Sequence, residues 1–122
     1  MGFVFGWRVS AGIYKIWCEQ GATLNLPLQW NDSTGAGVNL SGYTAKMQVR
    51  SNQDSTAVTL LLTNTNGRIV LTNTGGITLV VDAVTTGALT IGQYVYDLTL
   101  TSGSTVYRLI SGFFVVDGQV TR

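Results

Sequence analysis

The residues able to do chemistry in this chain are few and scattered. The carboxylates are Glu19, Asp32, Asp54, Asp82, Asp97 and Asp117, each far from the next in sequence. There is no histidine, which removes the commonest general base and metal ligand. Asp32, Asp54 and Asp82 sit in turn-like stretches, where aspartate ordinarily bonds its own backbone. Asp97 differs. It falls in the middle of an alternating apolar run, beside two tyrosines, and its expected role is to pair with Arg108 across a hairpin rather than to catalyse.

Nucleophile patterns fare no better. Cys18 is the single cysteine. It has no second thiol to bridge to and no histidine to activate it, so a buried reduced side chain is expected. No Gly-x-Ser-x-Gly is present. Gly35-Ala36-Gly37 opens like a dinucleotide fingerprint, but the third glycine and the following helix are missing. Asn31-Asp32-Ser33 and Asn39-Leu40-Ser41 match the glycosylation sequon, as chance allows in a chain this rich in Asn, Ser and Thr. The expectation is a protein that is not an enzyme and holds no cofactor and no metal.

Aromatic residues offer binding rather than catalysis. Phe3, Phe5 and Trp7 share one parity near the N-terminus and would form a sticky arm if exposed, able to dock on a neighbouring subunit, or an ordinary first strand if paired. Trp7, Trp17 and Trp30 together could make a sugar-stacking platform. Trp30 shares parity with Leu24, Leu26 and Leu28, which favours core packing for it and leaves Trp7 and Trp17 open. The candidate interaction residues are therefore Phe3, Phe5, Trp7 and Trp17, with Val120 and Arg122 in the C-terminal tail.

The elements that must position these residues read as β-strands. Tyr94, Tyr96, Leu98 and Leu100 fall on one parity, and Gln93, Val95, Asp97, Thr99 and Thr101 on the other. Successive strand side chains point to opposite faces, so one face is dry. Ser102-Gly103-Ser104 is a turn, and residues 105–116 return as the second arm of a long hairpin. Upstream, Ile13, Lys15 and Trp17 alternate against Tyr14, Ile16 and Cys18. Residues 22–30 alternate cleanly, with Pro27 implying an edge or a bulge because it lacks an N–H. Tyr43, Ala45, Met47 and Val49 oppose Thr44, Lys46, Gln48 and Arg50, giving a sheet whose second face is wet or covered by a subunit.

Residues 57–63 are expected to form a strand with Val58, Leu60 and Leu62 on one side. Asn64-Thr65-Asn66-Gly67 reads as a type I′ hairpin turn, from which residues 68–71 pair back. Residues 77–81 form another strand. Residues 82–89 are the one helical candidate, with Asp82 as the cap and Leu89 packing beneath. Short, evenly spaced strands with turns between them predict an all-β fold, an antiparallel immunoglobulin-like β-sandwich with at most one short helical turn. Tyr94, near the start of the penultimate strand, matches the tyrosine placement of that architecture, although no cysteine pair accompanies it. The expected organisation is an N-terminal arm or first strand over residues 1–11, a sandwich over 12–117 and a tail over 118–122.

Composition points to an outside meant to be covered. The chain has 122 residues, 45% of them hydrophobic and only 11% charged, against roughly 25% charged in an ordinary soluble domain. A surface this poor in charge is weakly soluble alone. The net charge is +1 with no basic stripe, so nucleic acid is not an expected partner. No apolar run approaches the ~20 residues needed to span a bilayer. The apolar start, Met1 to Trp7, has neither a basic flank nor a small-residue cleavage site, so a chain made in a cytoplasm and left unprocessed is expected.

Four segments carry a resemblance: Glu19-Gln20-Gly21-Ala22-Thr23; Leu40-Ser41-Gly42-Tyr43-Thr44-Ala45-Lys46-Met47-Gln48-Val49-Arg50; Gly92-Gln93-Tyr94-Val95-Tyr96-Asp97-Leu98; and Arg108-Leu109-Ile110-Ser111-Gly112 with Val120-Thr121-Arg122. In their order and spacing they resemble small proteins of the tail gene region of tailed phages. They are also similar to the N-terminal sandwich of phage upper baseplate proteins. The resemblance covers most of residues 12–122 and leaves out the first eleven. It implies a virion building block made in the bacterial host cytoplasm, a tail or baseplate adaptor that attaches fibres or neighbouring subunits. Its partners would be tail, baseplate, fibre or capsid subunits, with a homo-oligomer in the particle. The alternatives are a capsid decoration, or cement, protein and a carbohydrate-binding module for host attachment. Such proteins often adjoin longer fibre proteins, and the expectation here is a sandwich with no fibre or receptor-binding portion of its own.

Overall fold

The computed structural model describes residues 2–4 and 12–118, the first of these stretches by its backbone alone. The chain is an all-β, immunoglobulin-like sandwich of two sheets. One has four strands in the order β1 (Gly2–Val4), β4 (Leu24–Asn31), β8 (Gly76–Val81), β7 (Ile69–Leu71). The other has β2 (Gly12–Ile13), β10 (Thr105–Asp117), β9 (Gly92–Ser102), β5 (Thr44–Arg50) and β6 (Leu60–Thr63), with β3 (Ile16–Glu19) also pairing β10. The ladders are antiparallel except at β2 and β3, which run parallel to β10. A short helix, α1 (Ala83–Gly87), links β8 to β9.

The interior follows the alternation in sequence. Leu28 and Trp30 of β4 meet Ile77, Leu79 and Val81 of β8 on one sheet. Met47 and Val49 of β5, Tyr96, Leu98 and Leu100 of β9, and Ile110, Phe114 and Val116 of β10 face them from the other. Trp30 is a core residue, as its parity implied. Its ring meets Tyr107 at 5.2 Å and Tyr43 at 6.0 Å, both edge-on, the geometry that aromatic quadrupoles favour. Cys18 is buried and reduced; burial first, and the neighbouring Glu19 carboxylate second, push its thiol above the ordinary value.

Two joints fix the frame. At the start of β9, the Tyr94 hydroxyl donates to the Thr90 carbonyl at 2.6 Å, the tyrosine corner expected of this sandwich. Near the N-terminal rim, the strand breaks at residues 14 and 15. There the Tyr14 backbone lies against Gly112, where a Cβ would come within 2.6 Å of the Tyr14 carbonyl oxygen. That carbonyl accepts the Tyr96 hydroxyl at 2.5 Å. Gly112 has φ +150° and no side chain, so only glycine allows this close approach.

Several local expectations are corrected. The strand expected over 57–63 begins only at Leu60, and Val58 is exposed. Residues 68–71 do not pair back on 60–63. β6 pairs with β5 and β7 with β8, so the chain crosses between sheets at Asn64–Gly67. No non-glycine residue among those described has positive φ, which excludes a type I′ turn at Asn66-Gly67. The Asn66 side chain instead bonds locally, accepting from the Thr63 and Arg68 amides and donating to the Leu61 carbonyl. Asp82 stands at the N-cap but makes no side-chain capping bond. Pro27 is tolerated for a simple reason. Trp30 bonds Gly75 on the β8 side, so by the two-residue period the nitrogen of Pro27 faces away from β8, beyond the described end of β1.

Candidate functional site

The outer face of the six-stranded sheet carries the candidate site. Its side chains are the opposite parity from the core: Lys46, Gln48 and Arg50 on β5, Val95, Asp97 and Thr99 on β9. On β10 the register slips between Arg108 and Ile110. This bulge at Leu109 exchanges the two faces, so that Ser111 and Phe113 join Arg108 on the outside while Phe114 turns in.

Register then places these residues in rows. Arg50 lies across from Val95, and Val95 across from Phe113. Gln48 lies across from Asp97, and Asp97 across from Ser111. Together with Gln53 and Arg108 they line an open depression of about 490 Å³. Arg108 Nε stands 3.8 Å from the Asp97 carboxylate, which is the cross-hairpin pair expected from sequence. Both partners are well exposed, so the pair contributes ~0–1 kcal/mol.

Arg50 is held more firmly. Its guanidinium donates to the Ser55 carbonyl at 2.7 Å and to Gln48 Oε1 at 2.6 Å. Both are neutral acceptors. Among the described residues no carboxylate lies within ion-pairing distance of Arg50.

Beside the depression runs the rim formed by β2 and β3. Tyr14 donates its N–H to Ser111 and Gln20 donates its N–H to Asp117. Residues of that parity are bonded to β10, so the backbone groups of Lys15 and Trp17 point away from it, to a side where no described strand pairs, while the Glu19 carbonyl accepts from the Ala22 amide. The side chains here are apolar and exposed: Ile13 at 82%, Trp17 at 55% and, one strand over, Phe113 at 47%. Lys15 Nζ sits 4.5 Å above the Trp17 ring, a cation–π contact that shields one face of the indole. The other rim is closed. The carbonyl of Leu61 on β6 already accepts from Asn66 Nδ2 and Arg68 Nη1, each at 3.0 Å.

Of the residues expected from sequence to interact, Trp17 belongs to this surface. Phe3 lies in β1 opposite Trp30. Phe5, Trp7, Val120 and Arg122 lie outside the described residues, so the Trp7 half of the sugar-stacking pair and the tail contacts fall there too. Sequence reasoning passed over Arg50, Gln48 and Phe113. The parity of β5 had already put Gln48 and Arg50 outside, but the bulge that exposes Phe113 has no clear local signature. Of the acids, Glu19 and Asp117 lie across from each other on β3 and β10, and Asp32 is engaged in its own loop. Its Oδ1 accepts from the Thr34 hydroxyl and from the Thr34 and Ala36 amides, and the Thr34 side-chain bond chiefly holds its carboxyl below the ordinary value.

No family model matches the chain, and no curated protein does. Solved structures that are similar to it include murine CRIg, at 12% identity and TM-score 0.42, over 86% of this chain and 92% of that one. A structure from photo-crosslinking analyses of multimeric cell-adhesive interactions of VGSC beta subunits is similar at 14% identity and TM-score 0.46, over 92% and 98%. The periplasmic chaperone SfaE is similar at 16% identity and TM-score 0.44, over 93% of this chain and 59% of the chaperone. The likeness is one of fold alone.

Proposed function

We propose that this chain is a non-enzymatic structural protein of a phage virion, an adaptor of the tail or baseplate region that attaches fibres or neighbouring subunits. One observation carries the reading: Ile13, Trp17 and Phe113 stand exposed next to a strand rim whose backbone groups point outward. An incoming segment can add to such a rim as a further strand while covering the aromatic rings. Covering the open halves of Trp17 and Phe113 would contribute about 5 kcal/mol before ordering costs, taking roughly 100 Å² each at ~25 cal/mol per Å². The small charge content of the surface supports the same reading, because a permanently covered exterior has little need of charge.

Imaging tests it. Particles of the phage that encodes the chain are labelled with antibody against the purified protein and viewed by electron microscopy. Label at the tail end is the expected result. Label spread over the icosahedral lattice would move the chain to the capsid decoration role, and particles without label would refute a virion role altogether.

A further inference from the structure

We infer that the depression on the outer face is a receptor for a carboxylate, and that its occupant is an acidic side chain on an extended segment of the partner protein. The inference rests on the adaptor reading for the identity of the partner and on the geometry of the face for the chemistry.

Arg50 is the anchor. Its guanidinium is oriented by the Ser55 carbonyl and Gln48 Oε1, which fixes the plane of the fork before any ligand arrives. These two bonds leave donors open, and a planar fork with open donors is matched by a carboxylate accepting two parallel bonds. The arginine is half-buried with only neutral acceptors around it. Its charge is therefore uncompensated at short range, unlike that of Arg108. Charge complementarity runs the same way within the depression: Arg50 and Arg108 line it with one carboxylate, Asp97, which is already turned to Arg108, and the other carboxylates of this face, Glu19 and Asp117, lie at the far ends of β3 and β10.

The walls suit a peptide. Val95 and Phe113 lie in the same row as Arg50, so a carboxylate at the fork has an apolar floor beside it. Trp17 is across from Val115 on the adjoining strand and extends that floor towards the rim. An extended segment alternates its side chains by two residues. An acidic residue flanked by apolar ones in such a segment would engage Arg50 and cover Phe113 together. Apolar contact area around one fixed charge is the usual anatomy of a protein interface.

The test uses the full chain and three probes: the blocked peptide N-acetyl-Leu-Glu-Leu-amide, the same peptide with Gln in place of Glu, and glucuronate. Nitrogen–proton correlation spectra are recorded, including the arginine Nε–H signals. The Glu peptide is expected to shift the Arg50 side-chain signal and the Val95 and Phe113 amides saturably, with Kd on the order of 1 mM, and the Gln peptide to bind about tenfold more weakly. Arg50→Gln is expected to abolish the shifts. Arg50→Lys, which keeps the charge without the fork, should weaken them several-fold and serves if the glutamine variant does not fold.

Equal shifts by the Glu and Gln peptides would overturn the inference, as would shifts that survive loss of the fork. Arg50-dependent binding of glucuronate at concentrations where the Glu peptide is silent would also overturn it, in favour of an acidic sugar. Peptide binding by a chain absent from particles would defeat the adaptor reading and leave the carboxylate site standing. Labelled particles with a silent face would do the reverse.

Discussion

Thr86→Val tests the joint that holds rim strand β3 to the body of the sandwich. Thr86 is the one fully buried polar side chain among the described residues. Its hydroxyl donates to the Ala22 carbonyl at 2.8 Å and accepts from the Gly21 amide at 3.2 Å. These two residues lie just past the end of β3, and Gln20 between them and the strand is tied to the same corner through Nε2 to the Leu89 carbonyl at 2.8 Å. Valine keeps nearly the same shape, so packing survives, but the amide and the carbonyl both lose their partner. Each such group costs about 1–3 kcal/mol when buried. Gly21 and Ala22 are half-buried, which places each at the lower end and the pair at about 2–3 kcal/mol. For a chain of this length the unfolding entropy near the midpoint is ~0.26 kcal/mol per kelvin, so Tm should fall by roughly 8–12 °C. Thr86→Ser retains the hydroxyl and removes one buried methyl, for about 1 kcal/mol. Urea and thermal melts followed by circular dichroism measure both variants. Should the valine variant melt within about 2 °C of the parent, or the serine variant lose as much as the valine one, the hydroxyl is not what holds this corner.

Three further outcomes are expected. Burial, and secondarily the neighbouring Tyr14, raise the phenol of Tyr96 far above its ordinary value of 10.0. The folded state thus favours the neutral form, a contribution complete below pH 10 and lost progressively above it as the unfolded chain ionises; alkaline melts of Tyr96→Phe should lose this pH dependence along with about 1 kcal/mol for the bond to Tyr14. Gly112→Ala drives a methyl into the Tyr14 backbone and should release the rim, seen as faster hydrogen exchange at Ile16 and Cys18, while unchanged exchange there would show that the crossing tolerates a side chain. Phe114→Ala empties the fully buried centre of β10 and should cost about 3–5 kcal/mol in urea denaturation, a loss under about 1 kcal/mol being incompatible with the packing described.

Much of this architecture was legible because alternation is a strong signal. Tyr96, Leu98 and Leu100 are buried as their parity required, and the Tyr94 corner follows from the position of one residue. The hairpin of β9 and β10 and its Asp97–Arg108 pair were readable for the same reason. The Asn64–Gly67 stretch misled because a turn that returns a strand to its neighbour and one that carries it to another sheet use the same residues. Only the long-range partners, β5 and β8, decide between them. The site was harder still. Counting by twos from Tyr107, which packs against the core, puts Phe113 inside and Phe114 outside. One extra residue at Leu109 reverses this, and nothing local to Arg108-Leu109-Ile110 announces it. Arg50 was visibly an outward residue, but its neighbours Val95 and Phe113 come from two other strands that only the register brings alongside.

The parallel pairing of β2 and β3 with β10 has a mechanical consequence. A tether pulling on the chain ahead of Gly12 and another pulling beyond Asp117 would drag these strands past each other along their length. The Tyr14–Ser111 and Gln20–Asp117 bonds, and those between them, would then bear the tension simultaneously in shear, instead of parting one after another as in a zipper. Resistance to forced unfolding is set by the unfolding rate rather than by the equilibrium free energy. A part of modest thermodynamic stability can therefore withstand a brief tug along this axis, and tear easily when peeled sideways.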